Sequence, residues 1–295
     1  MTAVDDRPTE APTLALLSAS RSSDFKSCPL KYRFRTIDRL PERPSAAATR
    51  GTVVHSVLEH LFDLAAEERT LDAALGMVEP EWAALLAEEP EVAALFPADE
   101  PDSLAGWLES ARDLVRTYFG LEDPRRVEPA EREAYVRHPL PDAGVEIHGY
   151  LDRIDDDGDG GWVVTDYKTG RSPSQSFEEQ SLFQMKFYAL LIWRTRGVLP
   201  RKLRLVYLGD GVQCEYVPDP DNLARFERLQ VGALAAALRR ATEKADWRPR
   251  KSRLCDWCDF KAFCPEFGGT PPPLPERDVL PLLASAPAAV CDAEG

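Results

Sequence analysis

The 295-residue chain has no apolar run long enough to cross a bilayer, so it does not read as a helical membrane protein and no membrane partner is expected. Its first twelve residues, with Asp5, Asp6 and Glu10, lack the basic and then apolar order of a secretory leader. The expectation is a cytoplasmic protein with reduced thiols, which excludes disulfides as the reason for clustered cysteines and leaves metal. No G-x-x-x-x-G-K-[ST] loop occurs, so no intrinsic ATP site is visible, and no internal repeat appears. A hydrophobic content of 44% excludes wholesale disorder and suffices for one large or two modest domains.

The net charge of −14 is confined to one part of the chain. Residues 59–133 hold 20 acidic and 6 basic side chains, which is the whole imbalance. Residues 21–50 hold eight basic against three acidic, and residues 186–204 six basic against none. Such a split fits one phosphate-facing side and one repelling side, and equally fits ordinary solvated faces.

Taken in order, residues 1–17 and 268–295 read as tails, the second opening Gly-Gly-Thr-Pro-Pro-Pro and leaving Cys291 without a role. Between them lies one folded region, 18–267. Ser18 or Ser20 caps a helix with Phe25, Cys28 and Tyr32, which Pro29 either breaks or restarts. His55 stands near the first turn of an amphipathic helix with Val54, Leu58, Leu61 and Phe62. An acidic helical insertion spans about 71–120. A strand from about Glu131 to His138 carries Glu133, which reads as a surface residue before it reads as an accessory acid. Ser176 with Glu179 forms a capping box for a helix reaching Arg196, on which Gln184 and Tyr188 share a face. Residues 202–208 and 212–217 form a hairpin, and 223–245 an alanine-rich helix.

Chemistry concentrates in residues 148–171. Two runs rich in β-branched and aromatic residues flank the Asp- and Gly-rich stretch Asp155–Gly161, which predicts a β-hairpin. A turn centred near Gly158 or Asp159 sets Asp152 opposite Asp166, with side chains roughly 5 Å apart. Asp166 and Lys168 share a face of their strand. Two carboxylates near one ammonium suit phosphodiester hydrolysis, in which acids hold a divalent cation and lysine acts on the nucleophile or on developing charge. A solvated cross-strand ion pair is the plainer account of the same residues. Asp155, Asp157, Asp159, Gly160 and Asp166 also approach an EF-hand calcium loop, but between strands rather than helices.

Asp152 followed by Asp166-x-Lys168 resembles the PD-(D/E)xK nuclease superfamily, RecB-type branch, with Leu151 in place of the label's proline and Asp166 where glutamate is frequent. Gln184 and Tyr188 match the Q-x-x-x-Y helix that follows in that branch. The resemblance implies an α/β restriction-endonuclease-like core with a mixed central sheet flanked by helices. It also implies Mg²⁺ or Mn²⁺ on His55, Asp152 and Asp166, catalysis by Lys168, and substrate contacts from Gln184 and Tyr188. The substrate expected is DNA, cleaved by an exonuclease with single-strand preference, alongside a helicase partner. The alternative is a non-catalytic nuclease-fold scaffold in a helicase complex.

Cys255-x-x-Cys258-x(5)-Cys264 supplies three thiols of a metal site and lacks a fourth, which Cys28 can provide. On spacing alone, zinc and iron–sulfur are both open. In RecB/AddB-type nucleases and the nuclease of CRISPR spacer adaptation, one N-terminal cysteine joins such a triplet around a 4Fe-4S cluster. The similarity implies that Cys28, Cys255, Cys258 and Cys264 hold one here, joining the N- and C-terminal segments.

Overall fold

The computed structural model describes residues 15–97, 100–158, 160–173 and 178–274. The outer parts of both expected tails, Cys291, Asp159 and the Ser176 cap lie outside the described residues.

The chain divides into two compact units. The first gathers residues up to Leu40, Arg137–His148 and everything from Arg225 onward. Strand β1 (Ala15–Leu17) lies parallel to the start of β3 (Val145–Asp156), with Leu17 opposite Ile147. Ser18 caps helix α1 (Ala19–Ser27) by accepting from the Arg21 N–H. Pro29 does not break that helix; it opens a second, α2 (Pro29–Tyr32), at the position where a missing N–H costs nothing. Phe25, Tyr32 and Trp247 pack as an aromatic triad, Tyr32 stacked on Trp247 with ring centres 6.0 Å apart and Phe25 edge-on to both.

The second unit, Pro41–Val136 and Gly149–Ala224, carries the catalytic candidates. Helices α3 (Ala46–Leu61), α4 (Leu71–Glu88) and α5 (Pro101–Leu121) pack together over one face of the sheet. Val53, Val57, Leu58, Leu61, Trp82, Trp107 and Val115 meet Tyr167, Val206 and Leu208 in a continuous buried cluster. Each fully buried aliphatic side chain there stabilises the unit by about 1.5–3 kcal/mol. The acidic segment is therefore a packed helical layer, with its charges on the outside.

Strand β2 (Pro129–Leu140) pairs with β3, which turns antiparallel into β4 (Trp162–Lys168) with Arg153 opposite Thr165. Asp152 and Asp166 stand one step further along the same register. After β4 the chain crosses through α6 (Glu178–Arg196) to β5 (Lys202–Tyr207), which lies parallel to β4, and returns antiparallel in β6 (Val212–Tyr216). The sheet is thus mixed, in the order β1-β3-β4-β5-β6 with β2 on β3. Helices α7 (Pro220–Phe226) and α8 (Gly232–Glu243) follow, joined through a π-helical turn. In the β3–β4 turn, Asp155 is paired with Arg153 at 3.0 Å and Asp157 with Arg201, so these two carboxylates already have cationic partners and the calcium-loop reading does not hold.

Beneath the hairpin runs a buried ionic network. Arg153, 1% exposed, donates to both oxygens of Glu122 (2.5 and 2.9 Å) and to the Tyr167 hydroxyl (2.6 Å). Arg204 reaches the same glutamate at 3.0 Å. Burial alone would raise Glu122, but the two guanidiniums and the Tyr118 hydroxyl hold it down at about 2.

Candidate active site

His55 reaches the sheet because α3 carries Gly51 one turn earlier. A methyl group at Gly51 would stand 3.3 Å from the Thr169 hydroxyl just past β4, close enough that the threonine would have to give by a few tenths of an ångström. With that approach, His55 Nε2 lies 3.1 Å from the Tyr167 carbonyl and donates to it. The other ring nitrogen is then left facing carboxylates, with Nδ1 at 3.6 Å from Asp152 and 3.7 Å from Glu133. A ring oriented by a hydrogen bond on its far nitrogen is the usual posture of a metal-binding histidine.

Among the described residues, His55, Glu133 and Asp152 are the one group of three whose ligand atoms lie within 4.8 Å of one another. Glu133 is there because its backbone is left-handed, with φ of 42° inside a strand. Strand parity, which alternates faces, gives no warning of such a turn. The sequence reading favoured a surface glutamate, and the only hint in the sequence was its place on a strand next to the hairpin.

Asp166 stands beside this trio with both oxygens engaged. One is 2.5 Å from the Lys168 ammonium, and the other accepts from the Gln184 amide at 3.0 Å. Gln184 also donates to the Tyr188 hydroxyl at 3.3 Å, so the two α6 residues do share a face and it points at Asp166. Tyr188 lies against the backbone of Gly149, where a methyl group would meet its ring at 3.0 Å. Asp152 is held by the Tyr167 N–H at 2.6 Å. Tyr167 thus fixes His55 and Asp152 through its main chain while its side chain sits in the Arg153 network.

The electrostatics are those of crowded anions. Burial, then the neighbouring Asp166, pushes Asp152 well above the usual carboxylate range. Burial would lower His55, but a hydrogen bond to Glu133 and the charges of Asp152 and Asp166 carry it up to about 9. Lys168 is likewise raised against its burial by Asp166, so it keeps its proton. Without a cation the cluster takes up protons to offset its charge, and an imidazole nitrogen with two carboxylates is a donor set that could hold a divalent cation. An open cleft of about 540 Å³ leads to His55 and Glu133, lined also by Gly51, Thr52, Glu59 and Thr169.

The four thiols all belong to the first unit. Cys28 separates α1 from α2, and Cys255, Cys258 and Cys264 lie on or just after single turns of 3-10 helix. All four line one cavity of about 170 Å³ and are half-buried. Cys28 and Cys255 accept backbone N–H groups from Arg250 and Ser252 at 3.4 Å. Burial, and the other three thiols nearby, raise Cys264. No three of them fall within 4.8 Å of one another.

The profile of the PD-(D/E)XK nuclease superfamily matches residues 16–265. The chain belongs to that superfamily. This nuclease is 27% identical over 283 residues to the Gene 69 protein of Mycobacterium phage D29, a match covering 86% of this chain and 98% of that one. It is 29% identical over 171 residues to an ATP-dependent helicase/nuclease subunit of Pelotomaculum thermopropionicum, covering 57% of this chain and 13% of that protein. The crystal structure of a candidate exonuclease from Eubacterium rectale shares the fold, with a TM-score of 0.55 at 12% identity, covering 95% and 98% of the two chains. No described helix is long and apolar enough to cross a membrane.

Proposed function

We propose that this nuclease hydrolyses phosphodiesters of single-stranded DNA, working from an end, with Mg²⁺ or Mn²⁺ held by His55, Glu133 and Asp152 and with Asp166 as a further ligand. The cation would supply Lewis-acid chemistry at the scissile phosphate and make a water nucleophilic near neutral pH. Asp166 holds the Lys168 ammonium in place, and Lys168, fully charged, neutralises the charge that builds on the phosphoryl oxygens. Gln184 orients Asp166 and Tyr188, and the open side of the cleft admits the strand. The observation that carries this reading is the Asp166–Lys168 pair set beside an imidazole and two carboxylates on one strand end.

Cys28, Cys255, Cys258 and Cys264 are proposed to hold a 4Fe-4S cluster with a structural role; the cavity that all four line supports a shared centre, and the resemblance in cysteine layout favours iron–sulfur over zinc. A helicase partner is supported by the likeness to a helicase/nuclease subunit, and work in DNA repair or recombination is proposed with it.

The test is a time course on 5′- and 3′-labelled single-stranded DNA, and on the same strand circularised, with Mg²⁺ or with EDTA. Linear DNA is expected to be shortened from an end only with metal, and the circle to persist. Cleavage that survives in a folded Lys168→Ala protein refutes the assignment of the site.

A further inference from the structure

Each of the two strands that bring a carboxylate to the proposed cation carries a large exposed aromatic two residues away. Tyr135 follows Glu133 on β2 at 46% exposure, and Tyr150 precedes Asp152 on β3 at 59%. Their neighbours Val136, Gly149 and Leu151 are buried, so strand alternation turns both tyrosines outward. The rings pack on each other with centres 4.9 Å apart and planes tilted by 43°. At about 3.3 Å per residue, both lie roughly 7 Å along the backbone from a carboxylate of the site.

Both rings stay substantially exposed despite their mutual contact. Sequential bases of a single strand stand about one nucleotide step, on the order of 6–7 Å, apart when extended. We infer that Tyr135 and Tyr150 form a stacking platform for a nucleobase of single-stranded DNA, one nucleotide from the phosphate to be cut. The inference rests on the nuclease reading of the adjoining site and gives it a source of strand preference. An aromatic face accepts any base, but only one that is not already stacked inside a duplex. The platform therefore selects unpaired DNA without selecting sequence.

The experiment uses the full chain and two fluorescently labelled oligonucleotides of equal length, oligo-dT and the same strand with abasic residues throughout, titrated in EDTA so that neither is cut. Wild-type protein is expected to bind the base-bearing strand about tenfold more tightly, the range that stacking of one base on an aromatic ring provides. Tyr150→Ala and Tyr135→Ala are expected to erase most of that preference while leaving the affinity for the abasic strand unchanged. Tyr150→Phe, which keeps the ring, is expected to retain it. Equal affinity of the wild-type protein for the two strands overturns the platform, and this result needs no variant to fold. The two readings fail separately. A chain that cuts DNA but ignores the bases loses the platform and keeps the nuclease; a chain that discriminates the strands yet cuts neither loses the nuclease and keeps the platform.

Discussion

In the second unit, every side chain of the carboxylate site rides on a helix or a strand, and each is held by another protein atom: His55 by the Tyr167 carbonyl, Asp152 by the Tyr167 N–H, Asp166 by Lys168 and Gln184. In the first unit, Cys255 sits on a short 3-10 helix and Cys258 and Cys264 directly follow such turns, next to an exposed Leu254 (55%) and Trp257 (78%). One site is shaped by the fold around it before any ion arrives. The other has little regular structure to shape it, so the proposed cluster would have to supply its order. Rigidity thus lies where the proposed reaction must be positioned closely, and the looser region is the one whose proposed centre would only tie segments together.

That contrast is open to direct attack. The largest effect is expected from Lys168→Ala, which should lower cleavage by about 10³-fold or more in a protein that still folds, measured by initial rates on labelled single strands. Next, Glu122→Ala leaves the buried Arg153 without its main partner and is expected to cost about 3–5 kcal/mol in denaturant unfolding. The same carboxylate sets an acid limit. Its folded pKa lies near 2, below the unfolded value of 4.5, so its contribution is present above pH 4.5 and fades as pH falls toward 2. Glu122→Gln should flatten stability over that window. A smaller and more local effect is expected for Cys258→Ser: loss of visible absorption in anaerobically purified protein and faster hydrogen exchange in residues 249–267, with exchange around His55 and Asp152 unchanged. Equal loosening of both regions would erase the distinction between the two sites. Smallest, Glu133→Gln should weaken Mg²⁺ binding about tenfold in calorimetry, with little change in stability.

What the sequence disclosed follows from the range over which its signals act. The hairpin, its register and the Asp166-x-Lys168 pair were legible because they rest on strand alternation and on turn chemistry within a dozen residues. Gln184 and Tyr188 were legible from helical spacing. Glu133 was not, because its inward aim depends on one left-handed backbone position. The Arg153–Glu122 network was hidden too, its partners lying on separate elements 31 residues apart. Charge counting left a phosphate-facing side and an ordinary solvated face equally open, because it does not see partners: of the basic residues between 186 and 204, Arg196 is engaged by Glu131, Lys202 by Glu215 and Arg204 by Glu122.

The backbone at residue 133 carries a further consequence. Holding a glutamate at positive φ costs about 1–3 kcal/mol, and glycine would adopt the same dihedral with ease. Selection for thermal robustness alone would therefore favour glycine at this position, at the expense of a carboxylate in the site. A search for hardier variants of this enzyme should find Glu133→Gly among its gains in melting temperature and among its losses in turnover.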